Sequence, residues 1–383
     1  MNKISTLVFI LVISLFSYAQ GQPTSCSVSG KVTNALTGAP LQGATVYISN
    51  SSKGDLTNAK GSFLIAGLFN GKYDLIISYI GFQTKVYHLL INDKDVHVSF
   101  SMNQAAKELR EIVIIGSNSA WKKKYETFFR AFIGTDRNAK HTRILNAEVL
   151  QFKENDNILT VESKEMLTIR NEELGYRITY LLKNFYYNKN TGSLHYFGYP
   201  FFEEIESNRK SQNQRWERNR EKVYRFSMLR FLRVLGQHQL TEQGYIIGKL
   251  APKKQELSII ALQGKITKSN SFDITLFGKK YVDSLLWPHV PYDSLMKALP
   301  NNKYLLNFDG LLSIDATHTL GHPPSPGEYT PGTKFSVISL KKPVVINGNR
   351  LSESSSDIVL YGDWMNMRVA NLLPFNYVPP SVN

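Results

Sequence analysis

The chain has 383 residues, of which 42% are hydrophobic and 20% charged. That length exceeds one small core and suits two or three domains, and the composition excludes long disordered tracts. A single cysteine, Cys26, excludes an intrachain disulfide framework, and a formal charge of +14 sets a basic exterior.

At the N-terminus Lys3 precedes an apolar run over residues 4–16, followed by Ser17-Tyr18-Ala19 with small residues where a signal peptidase reads them. Residues 1–19 are expected to be a signal peptide cleaved after Ala19. The run is shorter than the ~20 apolar residues of a spanning helix, and no later segment is long enough, so no transmembrane helix is expected after signal removal. Cys26 is expected at the mature N-terminus outside any core, and Pro23-Thr24-Ser25 before it is a poor lipobox. Loss of Lys3 leaves +13. An exported basic chain points to the periplasm, outer membrane or cell surface. Its expected partners are an envelope protein or an anionic glycan such as lipopolysaccharide, and not nucleic acid.

From residue 28, β-branched and aromatic runs alternate with Gly, Pro and Asn turns about every ten residues, the spacing of a β-sandwich. The blocks are Gly30-Lys31-Val32, Pro40-Leu41-Gln42-Gly43-Ala44-Thr45-Val46, Gly61-Ser62-Phe63, Gly71-Lys72-Tyr73 and Ser78-Tyr79-Ile80-Gly81-Phe82. In this order they resemble the carboxypeptidase regulatory-like domain of exported Bacteroidota proteins. The resemblance covers residues 26–102 and implies a seven-stranded prealbumin-like sandwich without catalytic residues. Leu109-Arg110-Glu111-Ile112-Val113-Ile114-Ile115 resembles the strand that follows this domain in TonB-dependent transporters. A barrel of about twenty-two strands does not fit in what remains, so residues 103–117 are read as a connector, and a transporter or small barrel is the weakest reading.

Residues 118–378 are expected to form an α+β region, making the whole mainly β with antiparallel sheets and two or more helices. Ser119 can cap a helix whose Trp121, Tyr125, Phe128, Phe129 and Phe132 share one face, ending at Gly134. Strands are predicted at 148–152, 158–161, 176–180, 185–187 and 194–197, with a turn at 189–192 between the last two. Residues 207–235 are predicted to be one helix of net charge +7, with Trp216, Tyr224, Met228, Phe231 and Leu235 on one face and Arg215, Arg218, Lys222, Arg225 and Arg233 largely on the other. This region also resembles the remainder of the same Bacteroidota proteins, through Arg137-Asn138-Ala139-Lys140, Leu174-Gly175-Tyr176-Arg177-Ile178, Gly198-Tyr199-Pro200-Phe201-Phe202-Glu203-Glu204 and Trp216-Glu217-Arg218-Asn219-Arg220. The resemblance implies no assigned activity for it.

A zinc carboxypeptidase needs His and Glu three residues apart, and none of the eight histidines has Glu at the third position after it. His318 and His322 have ligand spacing, but Gly321 and Pro323-Pro324 break the helix that would align them, and a loop is expected. There is no nucleophile elbow and no phosphate loop. Glu203 and Glu204 are neighbours in a strand, which sends them to opposite faces as surface charge. No catalytic residue, metal site or cofactor is therefore expected. Candidate binding residues are Arg215, Trp216, Arg218, Lys222 and Arg225, because arginines beside an indole can hold carboxylates and phosphates. The bland alternative is the solvated face of a covering helix. A non-catalytic accessory or binding protein of the envelope is expected, with an unrecognised hydrolase of envelope polymers or glycans as the alternative.

Overall fold

Along β1 (Cys26–Asn34) every second residue is buried, so Cys26, Val28, Gly30, Val32 and Asn34 face inward. The computed structural model describes residues 25–105, 119–252, 271–276, 279–286, 289–300, 303–316, 335–347, 350–351 and 357–380. The chain divides into two units, residues 1–46 with 54–105, and residues 47–53 with 106–383.

After β1 come β2 (Thr45–Ile48), β3 (Gly54–Leu56), β4 (Ser62–Leu68), β5 (Gly71–Ser78), β6 (Lys85–Ile91) and β7 (Val96–Met102). They form two sheets, β4-β1-β7 and β3-β2-β5-β6, which is the expected seven-stranded sandwich. β1 runs antiparallel to β4 and parallel to β7. At Gly30 a Cβ would stand 1.7 Å from the Val98 carbonyl oxygen, so the ladder closes only around glycine. Cys26 corrects one expectation. It is not outside the core but 6% exposed, because the alternation that buries Val28 and Val32 buries it in phase. That burial, with Asp95 and Asp93 near, pushes its thiol above the usual range.

In the second unit α1 (Ser119–Phe132) and the single-turn α2 (Arg137–Lys140) precede β8 (Thr142–Ile144), β9 (Leu150–Asn155), β10 (Ile158–Ser163), β11 (Leu167–Asn171), β12 (Tyr176–Asn188) and β13 (Leu194–Glu204). The sheet order is β8-β11-β12-β10-β9, and β13 pairs with β12. The aromatic face of α1 covers it, Phe128 on Phe185 at 4.8 Å and Phe132 edge-on to Tyr180 at 5.1 Å between ring centroids. The strands predicted separately at 176–180 and 185–187 are one, since an irregularity between Leu182 and Asn184 carries the ladder across the break. Residues 47–53 also belong to this unit: Asn50 N–H donates to Pro200 O at 2.6 Å, Phe202 N–H to Ser51 O at 2.9 Å, and Tyr47 stacks on Phe201 at 4.8 Å.

The single helix predicted at 207–235 is two, α3 (Lys210–Arg225) and α4 (Met228–Gly236). Ser227 divides them: its hydroxyl donates to Tyr224 O at 2.8 Å and accepts the N–H of Arg230 at 3.2 Å, ending one helix and capping the next. The rest comprises β14 (Ile246–Pro252), β15 (Ser271–Leu276), β16 (Lys279–Leu285), α5 (Tyr292–Leu295), β17 (Met296–Leu299), β18 (Lys303–Leu306), β19 (Leu311–Asp315), β20 (Phe335–Leu340), β21 (Val344–Asn347), β22 (Arg350–Leu351), β23 (Ile358–Gly362) and α6 (Asp363–Asn366). Two sheets result, β15-β16-β14-β19-β20-β23 and β17-β18-β21-β22. α4 seals their core with Phe231 and Leu235, against Ile314, Ile346 and Trp364. Beyond α6 the chain returns to the α1 core, where Ala370 N–H bonds Ile133 O at 3.2 Å and Val369 is buried. No described helix is long and apolar enough to cross a membrane. The signal segment 1–19, most of the connector, His318 and His322 lie outside the described residues.

Candidate functional site

The inner face of α3 is committed to one loop. Asn171 starts that loop by accepting the N–H groups of Glu173 at 3.1 Å and Leu174 at 2.9 Å on its side-chain oxygen, an Asx turn. Gly175 closes it at φ +68°, where a Cβ would lie 2.4 Å from Cδ2 of Trp216. α3 then satisfies four successive carbonyls. Trp216 Nε1 donates to Glu172 O at 2.8 Å, Asn219 Nδ2 to Glu173 O at 3.0 Å, Arg220 Nε to Leu174 O at 2.7 Å and Arg220 Nη2 to Gly175 O at 3.0 Å. The third arm of Arg220 reaches Glu204 at 2.7 Å, and its guanidinium lies over the Tyr176 ring at 4.2 Å. The buried Glu173 carboxylate is held by Arg215 at 2.6 Å and Arg137 at 3.1 Å.

The structure therefore separates the five candidate residues. Arg215 and Trp216 stand at the 171–175 loop, the indole buried and its N–H used. Arg218, Lys222 and Arg225 are exposed at i, i+4 and i+7 on the other side of α3. Arg225 pairs with Glu221 at 2.8 Å. Reading charge along the sequence missed Asn219 and Arg220 as the fasteners of this helix. Their signal was present in the four blocks given above for residues 118–378, since Arg137, Leu174, Gly175, Glu204, Trp216 and Arg220 meet here. Glu203 and Glu204 are both exposed.

Beside α3 lies a cleft of about 1010 Å³. Three cations line it from three elements: Arg130 near the end of α1, Lys222 on α3 and Arg368 after α6. Arg130 and Lys222 are exposed. Burial pushes the Arg368 guanidinium below its ordinary value, opposed by Tyr196 and Tyr187 near it. The two carboxylates of the lining are engaged. Asp136 caps α2 by accepting from Ala139 N–H at 2.9 Å and also accepts from the Asn371 amide, while Asp363 accepts from Phe335 N–H at 2.9 Å. Tyr187, Phe226 and Trp364 supply aromatic wall. Among the described residues no group of three or more His, Cys, Asp or Glu could hold a metal ion.

Residues 28–114 match the family model of the CarboxypepD_reg-like domain, so the first unit's sandwich carries that domain. No curated protein matches the chain. Among solved structures, one similar to it is a type II cohesin-X-dockerin complex from Acetivibrio cellulolyticus, at 26% identity over 20% of this chain and 52% of that one, TM-score 0.18. Another is 5-hydroxyisourate hydrolase of Klebsiella pneumoniae, at 21% identity over 21% of this chain and 91% of that one, TM-score 0.19. A third is the pilus 2b backbone protein of group B streptococcus, at 18% identity over 21% and 42%, TM-score 0.19. The chain spans about half the length of the first of these, 52%. At such scores none of the three bears on ligand or activity.

Proposed function

We propose that the chain is an exported, non-catalytic accessory protein of the cell envelope, acting in the periplasm or at the cell surface. The CarboxypepD_reg-like sandwich serves as a folding and docking module, and the second unit binds an anionic envelope component. One observation carries the reading. Arg218, Lys222 and Arg225 form an exposed strip on a helix whose opposite face is locked by Trp216 and Arg220, so the cations are presented on a rigid support. The charge of +14 and the signal-like N-terminus agree with it.

The test is association with vesicles carrying lipopolysaccharide, compared between the purified protein and an Arg218→Glu/Arg225→Glu variant. Charge reversal is expected to weaken binding by about tenfold and to flatten its salt dependence. Equal binding by both proteins would remove the strip from the function.

A further inference from the structure

We infer that the cleft beside α3 is a binding site for an acidic saccharide unit. The inference rests on the binding reading above and extends it to a separate site that shares Lys222 with the exposed strip. At about 1010 Å³ the cleft is at the top of the ~300–1,000 Å³ range of small-molecule sites. Arg130, Lys222 and Arg368 reach it from three parts of the chain, two at the rim and one half-buried. Among the described residues Arg130 and Lys222 have no hydrogen-bond or ion-pair partner, and Arg368 donates only to the Met365 carbonyl. The two lining carboxylates, Asp136 and Asp363, are tied to neutral donors that fix α2 and the Phe335 backbone, and against three cations they leave the lining with a net positive charge. A lining with more cations than carboxylates favours an anionic occupant.

The form of the anion follows from the walls. A compact ion such as free phosphate needs donors converging on one point. Here the three cations come from separate elements and share the lining with Tyr187 and Phe226. An acidic oligosaccharide has that pattern, with charges repeated along a chain whose C–H faces pack on aromatic rings.

Isothermal titration of the purified protein with trigalacturonic acid, and with neutral maltotriose as a size-matched control, tests this. Trigalacturonic acid is expected to bind and maltotriose not to. Arg130→Glu and Lys222→Glu are each expected to weaken the acid by about tenfold, whereas Lys60→Glu, on the exposed surface of the first unit and outside both the strip and the cleft, leaves it unchanged. Both cleft positions are exposed, so circular dichroism should match the parent, and Arg130→Gln should give a smaller loss in the same direction. Equal binding of the two sugars, binding indifferent to Arg130→Glu, or no binding of either overturns the inference. Lipopolysaccharide-vesicle binding that persists when trigalacturonic acid fails overturns the cleft alone. Loss of both overturns the envelope-binding reading as well.

Discussion

At the scale of single residues, Arg220 shows how a charge that suggests a ligand can serve the fold. Its guanidinium is 5% exposed as a residue, bonds two consecutive carbonyls and ends on Glu204, which stays largely in solvent. Replacing it by Met removes the donor to Leu174 O, while Gly175 O keeps the N–H of Ile205 at 2.9 Å. One carbonyl is orphaned and no charge is left buried alone. Arg220→Met is expected to destabilise the second unit by about 1–3 kcal/mol, read as a lower urea midpoint, and Arg220→Lys should not restore it, because an ammonium cannot reproduce the fork. A variant with unchanged midpoint would show that the loop holds itself through Asn171. Trp216 belongs to the same logic. Its neighbours in sequence are charged, and a count of charges along the chain cannot see that the indole N–H has found a backbone acceptor 44 residues away.

Among elements, what could be read from the sequence is what is encoded locally. The alternation in β1 and the aromatic spacing of α1 are short-range patterns, and both elements lie where those patterns put them. β8 and β11 have three and five residues and exist because β12 offers a ladder to β11 and β11 one to β8. Their own sequences carry too few alternations to announce them. The continuity of β12 was hidden by Lys183, which the irregularity beside Leu182 accommodates. The division of 207–235 was hidden because the apolar stripe runs through it, while a single hydroxyl redirects the backbone at Ser227. The candidate site was legible in part. The exposed cations of α3 could be named, but the cleft could not, since Arg130, Lys222 and Arg368 are far apart in the chain. Ser227→Ala removes both the stop on α3 and the cap on α4. It is expected to cost about 0.5–2 kcal/mol, seen in urea unfolding as a shifted midpoint at constant slope, and a Ser227→Asp variant, which keeps the acceptor for Arg230, should recover part of that loss.

For the whole molecule, the aromatic content that builds the cores also sets a limit in alkali. Burial raises the phenol of Tyr47, Tyr176, Tyr180 and Tyr196 above the usual value, and pushes Tyr245 and Tyr377 up to about 12. Arg220 opposes the shift at Tyr176 and Tyr377, and Arg230 that at Tyr245, without cancelling it. In the unfolded chain these phenols ionise near pH 10. A folded value above the unfolded one means that their contribution is fully present below about pH 10 and is lost as pH rises through 10 toward 12, since the unfolded chain then releases protons that the folded chain retains. In the expected titration at 295 nm the buried set ionises above the ordinary phenol range, in one steep step that coincides with loss of the far-ultraviolet dichroism. Several buried phenols released together make that step steeper than any single group could. A single smooth curve through all 20 tyrosines, with the dichroism intact, would mean that water reaches these cores, and the aromatic contacts between α1 and its sheet would then not be what holds the second unit closed.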